Sequence, residues 1–299
     1  MDKLKKLLKV LLYLSFGFII YYLYTFDYLQ FSNVHFNLAL LFTSLILLWS
    51  GFVVSTLSWK NSLHSHQIQI TNQLAIYSHG ISVFAKYIPG KVWVILGRAS
   101  IVSEHKSSLT VLSAISLKEQ LVYLLTGLIV SLFAIVWLPL HPLFSVFVGL
   151  TACALALFLF SKKIHWLILV TIKKLFKKDL DIPYVSIREA LPMLKSILGY
   201  WFFWSVGFYI LVLATYPNAP GIIAFAFPIS VCYGLLAVIV PGGIGVRESI
   251  IVLFLTSAGM ETSFAVTISL LQRLWFITGE IFIFGLALIM KNKIQDCEN

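Results

Sequence analysis

The chain has 299 residues, 60% of them hydrophobic and only 11% charged, whereas soluble domains carry about 25% charged residues. The net charge is +10, but no soluble domain gathers it into a patch, which argues against a nucleic-acid partner and for anionic lipid headgroups. Apolar runs near twenty residues, without the short alternating strands of a barrel, predict an all-α polytopic membrane protein, a single integral membrane domain over 1–299.

The first segment places Lys3, Lys5, Lys6 and Lys9 around the start of an apolar run that ends at Phe26. It resembles a signal peptide, yet it is long and aromatic and no small-residue cleavage site follows, so an uncleaved anchor helix is expected over 7–26. A second full span is predicted over 36–59. The next apolar stretch, 74–102, is split by Pro89-Gly90. Its second piece, 91–102, reaches only about 18 Å as a helix, short of a hydrocarbon core of roughly 30 Å. A re-entrant helical hairpin is therefore expected.

Full spans follow over 111–138, 142–161 and 192–215. A basic linker at about 162–191 joins the last two. Within it, His165 to Phe176 is amphipathic, and Lys173, Lys174, Lys177 and Lys178 lie near its end. Such a helix suits the surface of an anionic bilayer, although a solvated linker fits the pattern as well. The stretch 221–258 is broken by Pro241-Gly242-Gly243 and reads as a second hairpin, with 221–240 long enough to cross. The sixth full span is 263–290.

With the N-terminus inside and each split segment returning to its own side, both termini are cytoplasmic. The external connections then carry no Lys or Arg, while fifteen basic residues lie in the internal ones. That is a positive-inside pattern. It is the same for a re-entrant hairpin and for two complete crossings. Residues 7–138 and 142–290 share one order of elements: span, span, Pro-Gly hairpin, span. Three crossings per unit invert the second relative to the first, the plan of an inverted repeat.

Seven of the 22 basic residues fall inside apolar segments, where a central charge costs roughly 2.5–3.5 kcal/mol on insertion scales. Four flank the two breaks: Lys86, Lys91 and Arg98 around Pro89-Gly90, and Arg247 after Pro241-Gly242-Gly243-Ile-Gly245. A helix that restarts after such a break exposes unpaired N–H groups and a partial positive charge, which suits a phosphate or carboxylate. The glycines would let the backbone approach a ligand closely.

Intramembrane carboxylates are present at Glu119, Glu248 and Glu280. Arg273 and Glu280 lie two turns apart on one helix face and suit structural ion pairs. The remaining charges, with Pro89, Gly90, Lys91, Pro241, Gly242, Gly243, Gly245 and Glu248, form the expected headgroup-binding set. The alternative is that all these ions simply hold the helices together. Lys195, at a helix end, is expected to snorkel to the surface. Cys153, Cys232 and Cys297 show neither a disulfide framework nor metal-ligand spacing, and His64-Ser-His66 reads as a solvated loop, so no metal or cofactor is expected.

Tyr87-Ile-Pro-Gly-Lys-Val-Trp93 through Gly97-Arg98, with Val240-Pro-Gly-Gly-Ile-Gly-Val-Arg-Glu248, resembles the lysylphosphatidylglycerol synthase transmembrane (flippase-like) family. The resemblance covers essentially the whole chain. Glu119 falls where that family tends to carry a buried glutamate. The resemblance implies a multi-pass protein of a bacterial or archaeal cell membrane, related to domains that move lipids between leaflets. Bifunctional members carry an aminoacyl-transferase domain after the membrane part; this sequence ends at Asn299, so lipid aminoacylation is not expected of it. Stand-alone members often accompany surface-polysaccharide pathways, which points to an anionic phospholipid or a polyprenyl-phosphate glycolipid as partner.

Three functions follow as expectations: a lipid translocase, an accessory subunit of an envelope-assembly complex or homo-oligomer, and a polyprenyl-linked glycosyltransferase. The last would need a carboxylate base or acidic metal ligands on the donor side. The external loops offer only Asp27 and Glu261, and the internal linker only Asp179 and Asp181 among lysines.

Overall fold

The computed structural model describes residues 37–87, 92–104, 106–176, 182, 184–237, 240 and 243–298. The expected anchor helix over 7–26 and the tip residues Pro89, Gly90, Lys91, Pro241 and Gly242 lie outside the described residues.

Helix boundaries follow from local capping. The Asn37 side chain accepts the Leu40 N–H and starts α1, Leu38–Ser65. Thr71 does the same for Leu74 N–H at the start of α2, Asn72–Ser82, which tightens into a 3₁₀ stretch, Val83–Tyr87. Helix α3, Trp93–Ser103, lies beyond the first break. Next come α4, Leu109–Trp137, α5, Pro142–Phe160, and α6, Lys162–Phe176. Helix α7, Ile187–Leu213, begins before the expected 192 because Ser186 and Glu189 form a reciprocal capping box, which satisfies two end donors at once.

The second split pair consists of a 3₁₀ stretch, Gly221–Phe225, continued by α8, Ala226–Leu236, and then α9, Val246–Ser257. Helix α10, Thr262–Glu298, closes the chain. Among the described residues there is no strand. Five helices, α1, α4, α5, α7 and α10, are long and apolar enough to cross a membrane. The order of long helix, split pair, long helix occurs twice, as α1, α2–α3, α4 and as α7, α8–α9, α10.

The surface is apolar and the interior is partly polar. Phe42, Ile46, Phe133, Leu150, Phe202 and Ile281 are exposed, while Ser44, Ser58, Ser78, Ser116, Gln272 and Glu280 are fully buried. Lipid solvates apolar side chains as well as a protein core does, so polar groups retreat inward and become contacts between helices. Helices α1 and α7 form the most extensive pair. Between them and α10, Trp204 packs against Phe52, Tyr200, Phe227 and Phe276. Helix α10 touches both split pairs, α2 of the first and α9 of the second.

Candidate functional site

The two split pairs and four of the long helices surround one cavity of about 170 Å³. Its wall contains Lys86, Arg98, Glu119 and Arg247, four of the residues expected from sequence, drawn from four separate elements. Helices α1 and α7 supply Phe52, Ser55, Tyr200 and Trp204, and α10 supplies Phe276.

Arg98 is buried and fully engaged. Its Nε donates to Ser116 Oγ at 2.6 Å and its Nη2 to the Ser116 carbonyl at 2.8 Å. Its Nη1 lies 2.5 Å from Glu119 Oε2. Ser116 and Glu119 are three apart on α4 and so share a face, giving one guanidinium three contacts from a single helix. The other side of the group rests on the Trp59 ring, with the guanidinium carbon 4.4 Å from its centroid. The Trp59 indole N–H meets Ser78 Oγ at 3.2 Å, which ties α1, α2, α3 and α4 together around this pair.

Arg247 stands in the opposite situation. It is only 5% exposed, and its Nε and Nη2 find no hydrogen-bond partner among the described residues. The guanidinium faces the rings of Phe276 and Phe227, 5.0 and 5.9 Å from their centroids. Its aliphatic stem packs over Gly234 of α8, where a Cβ would collide with it. A buried cation held by aromatic faces alone has lost its hydration and gained only cation–π attraction.

The glycines after the second break serve the turn itself. Gly243 has φ +68, and a Cβ there would lie 2.6 Å from Gly234 Cα. The chain thus returns against α8 only because both positions lack side chains. Gly245, with φ +83, donates its N–H to Glu248 Oε2 at 2.6 Å. Glu248 therefore caps its own helix, and its other oxygen lies 3.6 Å from Arg273 Nη1 on α10.

Glu280, also on α10, is fully buried and pairs with Lys86 while accepting the Tyr87 phenol at 2.8 Å. Arg273 and Glu280, expected on one face of the last helix, thus each reach a different split pair. Arg273 also sits over the Tyr87 ring at 5.8 Å.

Sequence reasoning missed several wall residues. His79 Nε2 lies 3.2 Å from Ser55 Oγ, and its Nδ1 has no hydrogen-bond partner among the described residues. Gln120, Tyr123 and Tyr200 add further polar groups. Gln120 follows Glu119 directly and His79 interrupts an apolar helix, so both carried a signal; the tyrosines looked like interfacial anchors. Lys118 points away from the cavity, into a separate cluster where its Nζ lies 3.0 Å from Glu189 and 3.2 Å from His66. Lys195 is exposed. Among the described residues no three His, Cys, Asp or Glu side chains converge as a metal site.

The arrangement can hold an anion: three cations line it, and Glu119, the one lining carboxylate among the described residues, is engaged by Arg98. No curated protein and no solved structure matches the chain. The family model for the lysylphosphatidylglycerol synthase TM region matches residues 6–278, in agreement with the resemblance carried by the two Pro-Gly motifs. Five apolar helices together with this match describe a multi-pass membrane protein. The chain belongs to the lysylphosphatidylglycerol synthase transmembrane family.

Proposed function

We propose that the protein is a lipid translocase that moves an anionic phospholipid or a polyprenyl-phosphate glycolipid between leaflets during cell-envelope assembly. The observation that carries this reading is Arg247, a buried guanidinium without a hydrogen-bonded partner, on the wall of a cavity shared by both split pairs. Leaving a charge uncompensated in a low-dielectric site costs several kcal/mol, and a bound phosphate offsets that cost. Lys86 and Arg98 raise the local positive potential, while the Arg98–Glu119 pair fixes the opposite wall. The lipid tails stay in the bilayer as the two split pairs alternate in opening the cavity.

The reading is tested in vesicles reconstituted with purified protein, by following transfer of a fluorescent phosphatidylglycerol between leaflets. Wild type is expected to transfer the lipid, and Arg247→Ala to lose at least tenfold in rate. Equal rates for the two proteins would sink the assignment.

A further inference from the structure

We infer that the headgroup bound in this cavity is a singly charged phosphodiester whose second substituent is neutral and hydroxylated, such as glycerol or a sugar. The inference rests on reading the cavity as a lipid-headgroup site and narrows the class of lipid it takes. Among the described residues, four cations around the cavity face three carboxylates. Arg98 pairs with Glu119, Lys86 with Glu280, and Arg273 with Glu248. Arg247 has no such pair, so one negative charge neutralises the cluster. A phosphodiester brings one. A diphosphate brings at least two, and the excess would sit in a low-dielectric wall against Glu119 and Glu280.

The rest of the headgroup is constrained by the same wall. An ammonium group, as in ethanolamine, choline or an aminoacyl ester, would enter among Lys86, Arg98 and Arg247. Glu119, the carboxylate it would need, already lies 2.5 Å from Arg98. The uncharged polar groups fit a polyol instead. Ser55 donates its hydroxyl hydrogen to the Phe52 carbonyl at 2.7 Å, so its contact with His79 Nε2 makes that nitrogen the donor. In the neutral ring Nδ1 is then an acceptor, and it has no partner among the described residues. An acceptor of this kind suits a hydroxyl hydrogen. Gln120, Tyr123 and Tyr200 offer further hydrogen bonds, and the faces of Trp204 and Phe276 suit the carbon skeleton of a sugar or glycerol.

The test is competitive retention. Purified full-length protein in detergent is incubated with equimolar phosphatidylglycerol, phosphatidylethanolamine, phosphatidylcholine, lysyl-phosphatidylglycerol and a polyprenyl diphosphate, and the retained lipids are counted by native mass spectrometry. Phosphatidylglycerol is expected to exceed each of the others at least tenfold. Arg247→Gln should bring the ratios to parity, and Arg247→Lys should keep them. Soluble glycerophosphoglycerol should displace the lipid at concentrations where inorganic phosphate does not.

Retention of an ammonium-bearing lipid or the diphosphate as strongly as phosphatidylglycerol overturns the inference. So does an unchanged preference in Arg247→Gln, or displacement by inorganic phosphate as effective as by glycerophosphoglycerol. If Arg247→Gln fails to fold, the wild-type headgroup series together with Arg247→Lys decides. Selective retention without transfer between leaflets would overturn translocation and leave the headgroup class standing.

Discussion

Arg98 commits three nitrogens to Ser116 and Glu119 and lies flat on Trp59, whereas Arg247 has aromatic faces and an open cavity. Truncating them should therefore have opposite effects on stability. Arg98→Ala strands Glu119, which is 4% exposed, and breaking a buried pair from one side costs about 3–5 kcal/mol. Its thermal midpoint in detergent should fall sharply, and removing the Glu119 carboxylate as well should restore part of the loss. Arg247→Ala removes a charge that has no ion-pair partner, so its lipid-free midpoint should equal or exceed that of wild type. A midpoint for Arg247→Ala as low as that for Arg98→Ala would show Arg247 to be structural. Gly243→Ala adds a left-handed backbone penalty of about 1–3 kcal/mol to a collision with Gly234. It should lower the midpoint measurably, whereas Gly149→Ala, where a Cβ meets nothing within 4 Å, should not.

At the scale of elements, α10 holds both split pairs. Glu280 grips Lys86 and Tyr87 of the first, and Arg273 reaches Glu248 of the second. Gly80 brings α2 so close to α10 that a Cβ would touch the Ile283 carbonyl. If Lys86–Glu280 is a true link between elements, Lys86→Met and Glu280→Gln should be strongly non-additive. A double-mutant cycle on unfolding should give a coupling of about 1–3 kcal/mol, and a value below about 0.5 kcal/mol would show the pair to be energetically idle. The long helices were legible in the sequence, because an apolar run near twenty residues has few other uses. Their ends were less so, since the start of α7 depends on the Ser186–Glu189 box and α1 runs on to Ser65 through polar residues.

For the whole molecule, the asymmetric distribution of lysines gives a directly testable orientation. With the N-terminus inside, the loop at Asn218 faces outward and Lys163 faces the cytoplasm. In a background lacking the native cysteines, Asn218→Cys should react with a membrane-impermeant maleimide on intact cells. Lys163→Cys should react only after permeabilisation. The reverse pattern would invert the whole assignment, including the side from which each split pair enters. Family membership, from the match over residues 6–278, fits a membrane protein concerned with lipid; the headgroup and the leaflet transfer rest on the cavity and on the experiments above.

The sequence alone determined the membrane class, the helical runs, the two Pro-Gly interruptions, the family and the unusual charges beside the breaks. These are local properties: hydropathy, chain breakers and short motifs act over a few residues, and neighbours in sequence suffice to read them. Only the tertiary structure decided which charges neutralise one another. Lys86 and Glu280, or Arg98 and Glu119, are far apart along the chain, and an ion pair depends on a few ångströms of separation that spacing in sequence does not encode. Two arginines that read alike beside their breaks therefore separated into one fixed within the scaffold and one facing the cavity.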